Sequence, residues 1–159
     1  MSFLATLQIH NTDIKKARVI NVEFEFTQPV DHTFRPKGRV QAGLITIEIE
    51  SSQNNTLAQW MISDSMQHSG EIAFEKSEGG SSLRNLQFHD AYCIYYKEIF
   101  NANDQNPMRI IVKLSARGIE INKLRLDNYW PEKTGTAYSP EDRNPHQSNE
   151  PIKSFNPLD

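Results

Sequence analysis

The chain has 159 residues, of which 17 are basic and 20 acidic, and a formal charge of -3 at pH 7. Because this balance is near neutral and the basic residues are scattered, bulk charge gives no attraction to nucleic acid. The mean hydropathy is -0.62, and every uncharged apolar stretch is far shorter than the roughly 20 residues of a transmembrane helix, so membrane insertion is not expected.

The first ten residues contain neither a basic region nor an uninterrupted apolar run. A secretory signal peptide has both. We therefore expect no signal peptide and a protein that is first located in the cytoplasm.

Alternation of apolar and polar residues with a period of two dominates the chain as far as Trp130. Ile45, Ile47 and Ile49, for example, alternate with threonine and glutamate, which is typical of a strand with one buried and one wet face. We predict strands over residues 3–9, 20–26, 45–49, 71–76, 83–89, 91–100, 108–117 and 119–126. This pattern predicts a mainly β fold, either a barrel or a sandwich.

Residues 28–43 separate the second and third predicted strands, and we call this segment the arm. It is too long for a hairpin turn, and its two prolines oppose regular ladder pairing. Loops of this length are typically functional or disordered, so we expect the arm to project as a contact surface, the alternative being an idle surface loop. Its candidate contact residues are Gln28, Pro29, Asp31, Phe34, Arg35, Pro36, Gly38, Arg39, Gln41 and Gly43.

Helical spacing occurs in one segment. Thr56 and Gln59 match a capping box, and Leu57, Trp60 and Met61 are apolar at positions i, i+3 and i+4. We predict one short helix over residues 56–65 that covers part of the barrel.

The predicted strand from residue 91 to 96 carries no charge on either face. Tyr92, Ile94 and Tyr96 alternate with Ala91, Cys93 and Tyr95, so both faces need cover. The core covers one face, and the helix or another subunit covers the other; the sequence leaves these two alternatives open. The candidate subunit contacts are Tyr92, Tyr95 and Tyr96.

Composition changes after Trp130. Residues 131–159 hold five of the eight prolines and only five apolar side chains, at positions 137, 138, 152, 155 and 158, too few for a core. We predict a domain over residues 1–130 and a proline-rich, extended C-terminal extension over residues 131–159.

No pattern in the sequence predicts catalysis, a cofactor or a metal site. The histidines, His10, His32, His68, His89 and His146, lack the spacing of a familiar zinc motif. Successive side chains of a strand point to opposite faces, so His89 and Asp90 do not form an acid–base pair. The single cysteine lies among aromatic residues and is expected to be a small buried hydrophobe.

Several short segments in the same order resemble a known family, the tube protein of type VI secretion systems (haemolysin-coregulated protein, TssD branch). They are Gln28-Pro29, Arg35-Pro36-x-Gly38, Gly43, Glu50-Ser51-Ser52, Trp60-Met61, Phe88-x-Asp90-Ala91-Tyr92-Cys93, Asn106-Pro107-Met108, Ser115-Ala116-Arg117 and Trp130-Pro131. The resemblance runs from residue 2 to about residue 131. Ala42, where the family pattern suggests glycine, and the long extension depart from it.

The resemblance implies a small β-barrel of two packed antiparallel sheets with one short helix, as in phage tail-tube proteins. It also implies homohexameric rings that stack into a hollow tube, with the arm at the ring–ring junction and effector proteins in the lumen. Sheath, spike and baseplate proteins would be further partners, and the tube would leave the bacterial cytoplasm on firing. The protein would then be structural, not an enzyme.

A different class of function also fits the residues. A monomeric β-barrel could bind a small ligand in a cavity lined by Phe24, Phe26, Tyr92 and Tyr96. Packing in a core explains these aromatic residues equally well. The oligomeric state distinguishes the two interpretations.

Overall fold

The computed structural model describes residues 2–79 and 81–131, and strands account for more than half of these described residues. The elements are β1 (Phe3–Ile9), β2 (Ala17–Phe24), β3 (Leu44–Glu50), α1 (Thr56–Ile62), β4 (His68–Lys76), β5 (Ser82–Phe100), β6 (Met108–Ile121) and β7 (Leu124–Asp127). The helix within these residues does not have the length or apolarity needed to cross a bilayer.

The strands form one antiparallel sheet that closes on itself. Their order is β3-β2-β1-β4-β5-β6-β7, and β3 also pairs with β6 from Leu44 opposite Ser115 to Glu50 opposite Arg109. Six strands therefore make a closed barrel, and β7 adds to the C-terminal part of β6. The predicted mainly β barrel with one short helix is confirmed.

Aliphatic side chains fill the inside of the barrel. Ile45, Ile47 and Ile49 point inward and are almost completely buried, whereas Thr46 and Glu48 between them point outward. Full burial of such a side chain stabilises the fold by about 1.5–3 kcal/mol. The other large side chains that are fully buried are Trp60, Phe88, Leu7, Ile9, Ile72, Leu86, Leu114, Ile119 and Val112.

Trp60 attaches the helix to the barrel. Its indole stacks near Phe88, with ring centroids 6.5 Å apart, and its Nε1–H donates to the backbone oxygens of Met66 and Ala91, each at 3.1 Å. These contacts confirm that the apolar side of the helix packs on the core.

The predicted details of the helix are wrong in two respects. It ends at Ile62, not at residue 65, and the predicted capping box is absent. Asn55 occupies the N-cap without a side-chain hydrogen bond, and the hydroxyl of Thr56 donates instead to the carboxylate of Asp13. A tertiary partner thus replaces the local capping interaction that the sequence pattern suggests.

Two predicted strand boundaries are also wrong. The segments 83–89 and 91–100 form the single strand β5, which continues past Asp90 although that residue has a positive φ of 49°. The predicted strand 119–126 is instead divided by a tight turn, because Asn122 and Lys123 both have positive φ, as in a type I′ hairpin.

The alternation predicted for residues 20–26 is interrupted. A bulge lies between Val19 and Asn21, so the inward residues are Val19, Val22 and Phe24, whereas Ile20 is only half-buried. Phe26 follows the end of β2 and is exposed. An extra residue in one strand shifts the inward positions by one, which periodicity alone does not reveal.

Candidate functional site

The arm projects from the barrel as a narrow, ordered loop. Apart from Asp31, its residues from 28 to 41 are exposed. Thr27 and Gln41 exchange backbone hydrogen bonds of 2.9 and 2.6 Å at its base, and the Lys37 N–H donates to the Pro29 oxygen at 2.7 Å. Isolated bridges replace a regular ladder, as the prolines predict.

The carboxylate of Asp31 organises the tip of the arm. Its Oδ1 accepts hydrogen bonds from the backbone N–H and hydroxyl of Thr33, at 2.8 and 2.6 Å, and from the Arg35 N–H at 3.1 Å. The Arg35 guanidinium lies 3.3 Å from its Oδ2. The Thr33 hydroxyl bond, more than the Thr33 and Arg35 backbone bonds, holds the pKa of Asp31 below its ordinary value of 3.8.

Phe34 stands at this tip in an unusual state. Its φ is 64°, its N–H donates to the Asp31 backbone oxygen at 3.0 Å, and its side chain is 85% exposed. An aromatic residue in the left-handed region costs about 1–3 kcal/mol and persists where the surroundings impose it, frequently at functional positions. Exposure of a whole aromatic ring in a rigid turn suits a contact with another molecule.

The base of the arm is fastened to the barrel by Asn128. Its Nδ2 donates to the oxygens of Ala42, at 2.6 Å, and Ala116, at 3.0 Å, while the Ala116 N–H donates to the Gly43 oxygen at 2.8 Å. Gly43 has a φ of 106°, and a Cβ there would lie 2.6 Å from both the Ala116 oxygen and the Asn128 Nδ2. Only glycine therefore fits where the arm returns to β3.

The arm also contacts the segment that follows β7. The guanidinium of Arg39 lies 5.7 Å from the centre of the Tyr129 ring, a cation–π distance. Both arginines of the arm thus have a partner within the chain, Arg35 in Asp31 and Arg39 in Tyr129. Nevertheless, the side chain of Arg35 is 78% exposed, so its remaining donors face solvent.

A bulge changes the faces of the charge-free strand. Cys93 pairs with Leu114 but Tyr95 pairs with Lys113, so Ile94 is the extra residue of a bulge in β5. Cys93 is buried and Tyr96 packs against the core, whereas Ile94 and Tyr95 are exposed. The prediction that Tyr92, Ile94 and Tyr96 share one face is therefore wrong at Tyr96, which packs against the core.

The three candidate tyrosines have different surroundings. Tyr92 stacks on Trp130 at 5.6 Å, and Lys113 Nζ lies 4.9 Å from the Tyr95 ring centre. The Tyr96 hydroxyl donates to Glu98 at 3.4 Å; burial and, less strongly, the Glu98 charge raise the pKa of that hydroxyl. Within the described residues, Trp130 therefore supplies cover for Tyr92, whereas Ile94 and Tyr95 keep substantial exposure.

A groove of about 470 Å³ runs across the outside of the barrel. We call it the outer groove. The lining residues are Glu23, Phe24, Glu25, Leu44, Ile45, Thr46, Ile94 and Lys113. Leu44 is 58% and Ile94 49% exposed, which gives the groove an apolar floor with charged rims.

The side chains considered for catalysis do not converge. His89 faces Glu120 of β6, with Nε2 3.4 Å from Oε2, and His68 lies edge-on to Trp60 at 5.0 Å. Burial lowers the pKa of His68 and raises the pKa of the Cys93 thiol. Among residues 2–79 and 81–131, no group of three or more histidine, cysteine or acidic side chains is placed to hold a metal.

The glutamates assigned to wet strand faces are in part ion-paired. Glu48 lies 3.0 Å from Arg109, and Glu50 lies 2.8 Å from Arg18. The Glu48 side chain is only 16% exposed. It does point outward from β3, as the alternation predicts, but neighbouring side chains cover most of it.

Sequence reasoning did not identify Asn128, Tyr129 or the outer groove. Asn128 and Tyr129 follow a short strand and show no periodic pattern, and only the fold brings them to the arm. A residue-level signal existed at Gly43, since a glycine directly before a strand often marks a close backbone approach. The C-terminal extension lies outside the described residues beyond Pro131, as does His146.

The aromatic residues of the alternative ligand-binding interpretation do not line one cavity. Phe24 and Tyr96 pack against the core, Phe26 is exposed, and Tyr92 stacks on Trp130.

Comparison with known proteins agrees with this architecture. The family model described as Hemolysin coregulated protein Hcp (TssD) matches residues 1–131. The structure of Hcp1 from Flavobacterium johnsoniae is similar with a TM-score of 0.72 and 32% identity, over 79% of this chain and 99% of that chain.

More distant structures share the fold. Hcp1 from Salmonella typhimurium has a TM-score of 0.58 and 11% identity over 76% of this chain and 86% of its own. Hcp3 from Pseudomonas aeruginosa has a TM-score of 0.52 and 11% identity over 82% of this chain and 99% of its own. No curated protein sequence matches significantly.

Proposed function

This chain belongs to the Hcp (TssD) family of type VI secretion tube proteins, and from that membership we propose that six copies form a ring and that rings stack into a hollow tube. The family match over residues 1–131 is the observation that carries the proposal. The function of such a protein is to assemble and to transport, and it does not include catalysis of a reaction.

The arm supports the stacking part of the proposal. It extends away from the barrel, its tip is ordered by Asp31, and it presents Phe34 and the outer part of Arg35 to solvent. The exposed phenyl ring of Phe34 beside the guanidinium of Arg35 suits a contact of limited area with the facing ring. Such a contact, roughly 1,000 Å² per subunit pair, stays at the low end of specific interfaces and is therefore reversible.

The outer face of β5 supports the contact within a ring. Tyr95 and Ile94 are exposed, and Tyr92 with Trp130 forms a rigid aromatic pair beside them. Aromatic residues are enriched in the energetic centres of interfaces. Tyr96 packs inward, so we assign the lateral contact to Tyr92 and Tyr95 and give Tyr96 a supporting role.

The remaining partners follow from the proposed tube. Rings would polymerise in the bacterial cytoplasm inside a sheath, start from baseplate and spike proteins, and carry or stabilise effector proteins in the lumen. Release from the cell would occur on firing, so this route involves neither a signal peptide nor membrane insertion.

Light scattering coupled to size-exclusion chromatography tests the ring. We expect a particle of about six times the chain mass of 18.3 kDa and, in negative-stain micrographs, a ring with a central hole. A stable monomer at micromolar concentrations would contradict the proposal and would favour the ligand-binding alternative.

A further inference from the structure

The outer groove exposes apolar surface that water does not solvate well. It crosses β2, β3, β6 and β5, and its floor is made by Leu44 and Ile94, both about half exposed. A volume of about 470 Å³ lies in the range of roughly 300–1,000 Å³ that is typical of sites that bind ligands or side chains. A groove with an apolar floor and charged rims suits a peptide segment that carries both apolar and charged side chains.

The described chain ends close to this groove. Trp130 stacks on Tyr92, Tyr92 pairs with Ser115, and Ser115 pairs with Leu44 on the next strand. Ile94 follows Tyr92 by two residues on β5. The described chain therefore ends beside the outer groove.

The last residues of the extension have a matching apolar pattern. Ile152, Phe155 and Leu158 recur every third position, with Pro151 directly before Ile152 and Pro157 directly before Leu158. A proline-rich segment favours the polyproline II conformation, in which every third side chain lies on one edge at intervals of about 9 Å. Two strand spacings, from β3 across β6 to β5, are also about 10 Å.

Charge complementarity favours the same segment. The rim of the groove carries Glu23 and Glu25 on one side and Lys113 on the other. Lys153 lies between Ile152 and Phe155, and Glu150 precedes them. Docking of this segment would bring one cation and one anion towards opposite charges on the rim.

The connecting chain is long enough to return to the groove. Twenty-one residues separate Trp130 from Ile152, and a chain of that length spans about 25 Å as a coil and about 65 Å as a fully extended polyproline II helix. The entropic cost of closing such a loop rises only slowly with its length.

We propose that residues 150–158 bind in the outer groove of their own chain, with Ile152 and Phe155 over Leu44 and Ile94. The segment then completes the outer face of β5 beside Tyr95. The proposal goes beyond ring formation and stacking, because the docking is internal to one subunit.

A disulfide pair tests the contact. In a full-length Cys93→Ala background, which removes the single cysteine, Ile94→Cys and Phe155→Cys are combined and oxidised at low protein concentration. We expect a bond within one chain, seen as a faster-running monomer on a non-reducing gel and as a linked peptide by mass spectrometry.

The matched control combines Phe155→Cys with Leu83→Cys. Leu83 lies on the same strand and is 51% exposed, as Ile94 is 49% exposed, but it does not line the groove. We expect the Ile94 pair to close at least about tenfold faster. Equal rates, or a bond between two chains, would overturn the proposal.

Methyl NMR spectra provide a readout without new cysteines. Phe155→Ser should shift the methyl signals of Leu44 and Ile94 and leave those of Leu83 and Ile62 unchanged. Unchanged Leu44 and Ile94 signals would refute docking. Rings counted by electron microscopy for each variant keep this result separate from the proposed function, because rings without docking would contradict the docking alone.

Discussion

The indole of Trp60 is completely buried between the helix and β5, and its N–H has two carbonyl acceptors. We expect Trp60→Phe to lower the free energy of unfolding by about 2–3 kcal/mol, because it leaves a cavity and removes the donor. Trp130→Phe is the control, since a phenyl ring can keep the half-buried stack on Tyr92; it should cost less than about 1 kcal/mol. Urea unfolding measures both, and equal losses would contradict the role of Trp60.

His68 gives the barrel a pH dependence of known sign. Burial lowers its pKa in the folded state, so the unfolded chain binds the proton more readily. The stabilisation is complete above the ordinary value of 6.5 and is lost as the pH falls through 6.5 towards the lower folded value.

When the pH is lowered from 7.5 to 5.5, we therefore expect the free energy of unfolding to fall less in His68→Phe than in the original chain. The urea midpoint at the two pH values measures this difference. His10→Gln, at an exposed position, is the control and should leave the dependence unchanged. An unchanged slope in His68→Phe would show that another group is responsible.

At the scale of elements, the arm and β5 are the parts whose shape matters for assembly. Arg35→Ala together with Arg39→Ala removes the outward guanidinium of the tip and the contact with Tyr129. We expect rings to remain and the protein concentration needed for tubes to rise at least about tenfold, as judged by pelleting and electron microscopy.

The matched control for the arm is Arg84→Ala together with Lys123→Ala, which removes two exposed basic residues at another part of the surface. It carries the same change in net charge and should leave tubes unaffected. Equal tube assembly in both double variants would contradict a role of the arm in the stacking contact.

The fastening of the arm is separable from its tip. Gly43→Ala forces a Cβ against the Ala116 oxygen and Asn128 at a φ that disfavours side chains. We expect a lower melting temperature, by several degrees, and a displaced arm, visible as changed NMR signals around Asp31. Gly38→Ala is the control for backbone strain alone, because the φ of Gly38 is 88° but a Cβ built there has no heavy atom of another part of the chain within 4 Å. It should have the smaller effect.

At the scale of the whole molecule, the barrel does not draw its core from the extension. The buried side chains described all lie before residue 120. Deleting residues 132–159 should therefore leave the melting temperature within a few degrees, by circular dichroism. Deleting residues 128–159 also removes Asn128 and Trp130 and should cost clearly more; equal effects would contradict the anchoring role of residues 128–130.

The sequence predicted the arm, one helix and most strands, because these depend on local period and on proline. It predicted Asp31, Phe34 and Arg35 only as members of a projecting loop. It did not predict the carboxylate that orders the tip or the strain at Phe34, because both depend on the folded path of the loop.

Periodicity, turn residues and ordered short segments were enough to determine a mainly β chain and its family from the sequence alone. Tertiary structure decided the closure of β3 on β6, the bulge at Ile94 and the attachment of the arm by Asn128. The physical reason is distance along the chain: the Asn128–Ala42 hydrogen bond joins residues 86 positions apart, and only the closed sheet makes them neighbours.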